Sequence, residues 1–538
     1  MALLHDTSFA RTCARTFVPA AALVMAPACD GAASDAAALG AIDAAGTTEG
    51  EAQDAAAGLV APREVERAAL EKAVTDERVR ALYEARGWEA AWTDESARAL
   101  VGTLKDAGRH GLDPGDYLRS LQQAARSPAA REAALTAAAF AYADALADGR
   151  ADPTALFETY TLDRPDIDLS AGLESALAEG RASEWIESFA PDTEEYRALS
   201  EAFLENARKA AARGDSTIGG GDLIRPGSSD PRVPQIAERL RAKGYLGEAR
   251  RGNVPETRFT ERMADALREM QRDFGIADDG IVGPDALKVL NTAAEERARL
   301  LAVNLERLRW LERDRPLTRI DVNIAAARLD YYEDGAVVDS RKVIVGQPGW
   351  ETPQLGSPIY RLVANPTWTV PKSIEREEIE PRGAGYLARN NMVRRDGWIV
   401  QLPGPGNALG EVKFDMENDQ AIYLHDTPAV SLFERNQRHF SHGCVRVEDA
   451  PGFARMLARE ADVISEYRPA KASGEESFVR LPQQIPVRLL YRTAFVGREG
   501  EVEYRTDVYG WDNRIAQALG YEPREAPRIE ISVSDVGP

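Results

Sequence analysis

Apolar residues first recur along this chain at helical spacing. Between about Glu64 and Arg213 they fall at i and i+3/i+4, as in Ala97, Leu100, Val101 and Leu104, which predicts amphipathic helices. Gly111-Leu112-Asp113-Pro114 reads as a helix stop followed by an Asp-Pro start. Residues 213–231, rich in Gly, Ser, Asp and Pro, read as a linker. A second helical unit spans about Val233 to Asn291. Ile236, Leu240, Leu246, Leu267, Met270 and Phe274 form its apolar faces, and the run Asp279-Gly280-Ile281-Val282-Gly283-Pro284 forms a tight loop. A unit of about 60 residues has little room for a catalytic cleft, so it reads as a binding module. A further helix, about Ala293 to Trp310, then precedes a change of period. Arg319–Ile324, Ala327–Tyr332, Lys342–Val345, Tyr360–Val363 and Trp398–Leu402 are short β-rich runs separated by Gly, Pro and Asp. A helix is predicted from about Pro451 to Glu460, and the strands Val487–Tyr491 and Glu501–Tyr504 are predicted to continue the sheet.

These shifts predict a multidomain α+β protein. A helical domain covers 64–213, a linker 214–231, a small helical module 232–292, a connecting helix 293–317, a mostly-β domain 318–515, and a loose tail 516–538. The 29–63 stretch of Ala, Gly, Asp and Glu has almost no large apolar residue, which predicts a flexible tether. Ahead of it, Arg11 and Arg15 precede an apolar run of about a dozen residues and the Ala26-Pro27-Ala28 site, which reads as a signal peptide over 1–28. Cys29 follows directly, so a lipidated Cys29 is an alternative, weakened by Ala26 at the usual leucine position. An exported chain, periplasmic and either free or lipid-anchored, is the expectation.

Composition narrows the partners. The chain has 538 residues and a net charge of -21, which disfavours nucleic acid and anionic membranes. It has three cysteines, Cys13, Cys29 and Cys444, and only Cys444 lies in the globular part. An internal disulfide framework is therefore excluded there. A lone thiol in an exported protein is prone to oxidation and is expected to persist because it is used.

Three of the five histidines, His425, His439 and His442, lie within twenty residues of that thiol. Tyr423-Leu424-His425 reads as the end of one strand, and Ser441-His442-Gly443-Cys444 as a turn leading into another through Val445 and Val447. Neighbouring strands bring an imidazole within reach of the sulfur. A thiolate is the attacking species, and an imidazole takes its proton and returns it to a leaving amine. Gly443 allows backbone N–H groups to approach a reacting carbonyl as an oxyanion hole. Arg446 is placed to meet a substrate carboxylate or to hold the loop. His439 is expected to face solvent or shape the loop, and His442 to tune the thiolate or pack. Zinc is the chemical rival, but His442 and Cys444 are spaced too tightly for the usual ligand pattern, and no second cysteine is at hand.

The histidine followed after fifteen residues by Ser441-His442-Gly443-Cys444 resembles the signature of L,D-transpeptidase catalytic domains of the YkuD type. Asn365-Pro366-Thr367-Trp368-Thr369-Val370-Pro371, Pro403-Gly404-Pro405-Gly406-Asn407-Ala408-Leu409-Gly410 and Tyr423–Pro428 extend the likeness toward the large periplasmic YcbB-like branch. The 232–292 unit resembles a peptidoglycan-binding domain, and the helical region, with Leu82–Gly87 and His110–Pro114, resembles that branch's scaffold domain. The resemblance implies a β-sandwich-like catalytic domain with an insertion over the active site, for which residues 371–395 are the candidate. It implies Cys444 as nucleophile and His425 as proton donor and acceptor. Gly443 supplies oxyanion-hole backbone, with His442 and Arg446 supporting. Tyr423, Trp368, Ser441 and Asn407 are the implied substrate-binding candidates. The implied reaction releases D-alanine from a tetrapeptide stem, forms a thioester, and passes the acyl group to a second stem as a 3-3 cross-link. Peptidoglycan stems are then donor and acceptor, glycan strands bind through 232–292, carbapenems acylate the thiol, and no metal or organic cofactor is needed. Transfer to a protein, a D-amino acid or water, and a non-catalytic wall-binding scaffold, are the alternatives.

Overall fold

The computed structural model describes residues 65–124, 126–169, 172–212, 217–247, 257–383 and 385–524. The expected signal peptide and tether, with Cys13, Cys29 and the residues beyond 524, lie outside the described residues. Among the described residues no helix is long and apolar enough to cross a membrane.

The helical half behaves as its periodicity predicts. Ala97, Leu100, Val101 and Leu104 are all buried on the Asp94–Lys105 helix, which Thr93 and Ser96 open with a capping box. Gly111 takes a left-handed φ of 68° to end a short 3-10 turn, and Asp113 caps the next helix at the Gly115 N–H. The Pro128–Asp148 helix is apolar nearly all round and forms the centre of this domain.

The helix Ala294–Arg309 departs from expectation. It was expected to connect domains, but it is buried along most of its length. On one side Arg309 donates to the His110 carbonyl (2.8 Å) and the Tyr196 hydroxyl (2.9 Å) and pairs with Glu306. Glu306 in turn accepts from the Ala151 N–H at 2.7 Å. On the other side Arg307 pairs with Asp512 at 2.5 Å, and Asn304 donates to Thr493 at 2.8 Å. The helix is thus a strut shared by the helical and β-rich halves. Its charged residues find their partners far away along the chain, which local pattern does not show.

The small module has its own core of Ile236, Leu240, Phe259, Leu267, Met270 and Leu290. Ile218 and Ile224 join that core, and Ile224 bridges to Val282, so the expected 214–231 linker is partly built into the module.

The β-rich half begins with β1 (Arg319–Asn323), β2 (Arg328–Glu333), β3 (Ala336–Gly346), β4 (Leu355–Gly356) and β5 (Ile359–Ala364). It continues with β6 (Trp368–Thr369), β7 (Met392–Arg395), β8 (Trp398–Gln401), β9 (Val412–Met416), β10 (Leu424–His425), β11 (His439–Ser441) and β12 (Val445–Val447). The helices Ala450–Glu460 and Ile464–Ala472 then lead to β13 (Ser477–Ile485), β14 (Val487–Leu490), β15 (Ala494–Val496) and β16 (Val502–Tyr504). Eleven strands form one continuous sheet in the order β13-β5-β9-β10-β12-β3-β2-β1-β14-β4, with β11 branching from β3. The long strand β3 joins the two halves of this curled sheet, giving the mostly-β, mixed α+β architecture expected.

Three expectations are corrected here. β8 leaves the main sheet and pairs with β6 and β7 over a separate core of Trp368, Ile374, Ile379, Met392, Ile399 and Leu409. The inserted subdomain therefore runs beyond 371–395 in both directions. β16 pairs only with β15, so it does not extend the sheet. The helix Trp511–Ala518 crosses the expected domain end at 515 and packs on the strut helix. The nine-residue β13 was missed because Arg480, Pro482, Gln483 and Gln484 break its apolar alternation, which an edge strand tolerates.

Arg309→Met should leave the buried Glu306 carboxylate unpaired and cost about 3–5 kcal/mol, read by chemical denaturation. Restoring neutrality with Glu306→Gln in the same chain should recover part of that loss. A single variant as stable as the parent would contradict the strut's role.

Candidate active site

Strand register assembles the site. β10 runs parallel to β12, with Leu424 opposite Val445 and His425 opposite Arg446. One step back, Tyr423 lies opposite Cys444, and the Val445 N–H donates to the Tyr423 carbonyl at 3.2 Å. Successive side chains alternate faces, so Tyr423, His425, Cys444 and Arg446 share one face while Leu424 and Val445 enter the core. β9 pairs antiparallel on the other side and sets Lys413 beside His425. The imidazole therefore sits in a row between two cations.

His425 is fully buried. Its Nδ1 donates to the Asp426 carbonyl at 2.5 Å, which fixes the tautomer and leaves Nε2 as a proton acceptor. That Nε2 has no hydrogen-bond partner among the described residues. Burial first, then the Arg446 charge, lower its pKa to about 3, with Lys413 adding to the effect. The Cys444 thiol donates to the Ala421 carbonyl across 3.9 Å. Burial pushes that thiol up to about 11, against the opposing effects of Tyr423, Lys413 and Arg446. The Tyr423 hydroxyl hydrogen-bonds the sulfur, and Lys413 lies 4.1 Å above the Tyr423 ring. The resting site is thus a neutral thiol beside a neutral imidazole, a state in which the thiol is slow to oxidise.

Gly443 has φ of 110°, open to glycine and strained for any L side chain. Its N–H donates to the Ser441 Oγ at 3.2 Å, and the Ser441 hydroxyl donates to the Cys444 carbonyl at 2.6 Å. The Gly443 N–H is therefore engaged within the loop rather than presented as an oxyanion donor. Its carbonyl accepts from the Thr352 hydroxyl at 2.7 Å.

The other candidates are placed as follows. Ser441 is buried and holds the turn. Asn407 is buried and donates to the Pro366, Gln401 and Leu402 carbonyls, closing the neck of the inserted subdomain. Trp368 lies in that subdomain's core. All three are buried and make contacts within the fold. Tyr423 is half-buried and packs against both the main core and the inserted subdomain. Arg446 is 1 % exposed and lies opposite His425 in the sheet. His439 is buried rather than solvent-facing, accepting from Gln437 at 2.9 Å and packing edge-on to Tyr509. His442 pairs with Glu378 of the inserted subdomain at 2.6 Å and packs against Trp350. Lys413, Thr352, Glu378 and Trp350 were missed as site residues. Among the described residues no three His, Cys, Asp or Glu side chains are grouped to hold a metal ion.

Three family models match this chain: residues 317–464 the L,D-transpeptidase catalytic domain, 229–290 the "Putative peptidoglycan binding domain", and 77–203 the scaffold domain. A protein of Haemophilus influenzae described as "Putative L,D-transpeptidase" is 32% identical over 239 residues, covering 40% of this chain and 48% of the relative. The match thus spans about half the length of that relative. Among solved structures, an L,D-transpeptidase from Mycobacterium smegmatis aligns at 12% identity and TM-score 0.21, over 32% of this chain and 58% of its own. One from Stackebrandtia nassauensis aligns at 12% identity and TM-score 0.20, over 52% and 97%.

The pKa directions predict an acid-sensitive fold. His425 and His439 are both lowered to about 3, so the unfolded chain takes up protons that the folded chain refuses. Stability should be full above pH 6.5 and fall as pH drops from there toward 3. Thermal unfolding should show Tm already lower at pH 5.5 than at pH 7.5, and His439→Gln should flatten that slope. An identical Tm at both values would contradict the buried neutral imidazoles.

Proposed function

Starting from a chain that carries an L,D-transpeptidase catalytic domain beside a peptidoglycan-binding domain and a scaffold domain, we propose that it cross-links peptidoglycan stems through a Cys444 thioester. The observation that carries this reading is the β10–β12 register, which sets the tautomer-fixed His425 and the Cys444 thiol on one face.

The sulfur attacks the carbonyl that joins the diamino acid of a tetrapeptide stem to its terminal D-alanine. The thiol proton passes to His425 Nε2 as the S–C bond forms. With the thiol near 11 and the imidazole near 3, proton transfer must accompany attack rather than precede it. Collapse of the tetrahedral centre breaks the C–N bond, and His425 returns the proton to the leaving D-alanine amine. The amine of a second stem then attacks the thioester, loses a proton to His425, and restores the thiol. Lys413 and Arg446 favour the sulfur anion that develops on this path. The inserted subdomain lies against the site through the Glu378–His442 pair, so it covers the bound stem.

The 232–292 module would then hold glycan strands near the thiol, and the work would be done outside the cytoplasm, in the periplasm. Lipidation of Cys29 would add an anchor.

Purified protein given a disaccharide tetrapeptide should release D-alanine in step with 3-3-linked dimers, separated by chromatography and mass. Cys444→Ala should abolish both products, and His425→Ala should lower the rate about 10²–10⁴-fold. Tripeptide as the sole product would replace cross-linking by hydrolysis. Undiminished turnover by Cys444→Ala would remove the thioester.

A further inference from the structure

The Gly443–Cys444 peptide is held by residues far from the signature, and they converge on its carbonyl. Thr352 is fully buried, and its hydroxyl donates to the Gly443 carbonyl at 2.7 Å while accepting from the Gly346 N–H at 2.9 Å. The Thr352 N–H donates to the Tyr509 hydroxyl at 3.3 Å, and that hydroxyl donates to the Gly346 carbonyl at 2.6 Å. The Tyr509 N–H donates to the Tyr491 hydroxyl at 3.1 Å, and that hydroxyl donates to Asp507 at 2.7 Å. Backbone crowding shows how tight this corner is. A Cβ at Gly346 would lie 2.0 Å from the Trp350 carbonyl oxygen and 2.7 Å from the Thr352 nitrogen.

A trans peptide is planar, with its C=O and N–H pointing in opposite directions. Fixing the Gly443 carbonyl on Thr352 therefore aims the Cys444 N–H the other way. Ser441 engages the Gly443 N–H and the Cys444 carbonyl, so both flanks of this peptide are pinned. We propose that Thr352, held by Tyr509, is a positioning residue that aims the Cys444 N–H at the oxyanion formed during acyl transfer. Tyr509 lies beyond the 317–464 catalytic-domain match, so the segment after that match completes the site. A donor aimed before reaction costs no reorganisation at the moment of attack.

The inference rests on Cys444 acyl transfer, and the test separates the two. Three variants are compared with the parent: Thr352→Val, Thr352→Ser and Tyr509→Phe. Each is assayed for D-alanine release from a disaccharide tetrapeptide and for Cys444 alkylation by iodoacetamide, a displacement that forms no oxyanion. Thr352→Val should lower kcat at least about tenfold at little-changed KM, up to the roughly 10²–10³-fold loss of a full oxyanion donor. Thr352→Ser should keep kcat within about threefold, and Tyr509→Phe should fall between, while alkylation stays within about twofold in all. Tyr509→Phe and Thr352→Ser keep the test open should Thr352→Val fail to fold. Wild-type kcat in Thr352→Val, or, where it does not fold, in Tyr509→Phe, would overturn the positioning role. So would a loss of alkylation as large as the loss of acyl transfer. A parent that alkylates but never releases D-alanine would overturn the transpeptidase reading instead.

Discussion

The parallel pairing of β10 with β12 is the constraint on which the site depends. Two residue pairs, Leu424–Val445 and His425–Arg446, set the register. A slip of one residue would send His425 or Cys444 to the opposite face and carry Leu424 or Val445 out of its apolar packing. The register is secured because both apolar members are wholly buried. β9 and β3 flank the pair, so it has no free edge along which to slide. Packing in the sheet thus fixes the chemistry that the loops present.

The resting electrostatics follow from the same burial. Desolvation raises the thiol and lowers the imidazole, and the cations Lys413 and Arg446 oppose the first effect while reinforcing the second. On the proposed mechanism the pair stays neutral until a carbonyl arrives to accept the sulfur's electrons. Cys444, the one free cysteine among the described residues, is slow to oxidise in this neutral state. The cost is that attack needs stabilisation of developing charge, which directs attention to the backbone around Gly443.

Much of this was legible in the sequence. The mostly-β period after 318, the helical domain and the signature around Cys444 all follow from local pattern, because each depends on residues close in the chain. What escaped depends on distant partners. The strut helix Ala294–Arg309 looked like a connector because the partners of Arg307 and Arg309, namely Asp512, His110 and Tyr196, lie more than a hundred residues away. β8 looked like a sheet strand because strand pattern does not say which sheet a strand joins. Trp368, Ser441 and Asn407 stand in signature-like runs, but the contacts they make within the fold depend on distant partners that the runs do not reveal. Thr352 and Tyr509 gave no sequence signal at all, since a hydroxyl bonded to a backbone carbonyl leaves no period.

The central claim is that Cys444 carries the acyl group. Intact mass of the full chain, quenched in acid during turnover of a disaccharide tetrapeptide, tests it most directly. The predicted species is heavier by the donor less D-alanine, maps to the Cys444 peptide, and is released by hydroxylamine as a thioester is. An unmodified mass under active turnover, or an adduct that survives Cys444→Ala, would contradict the account.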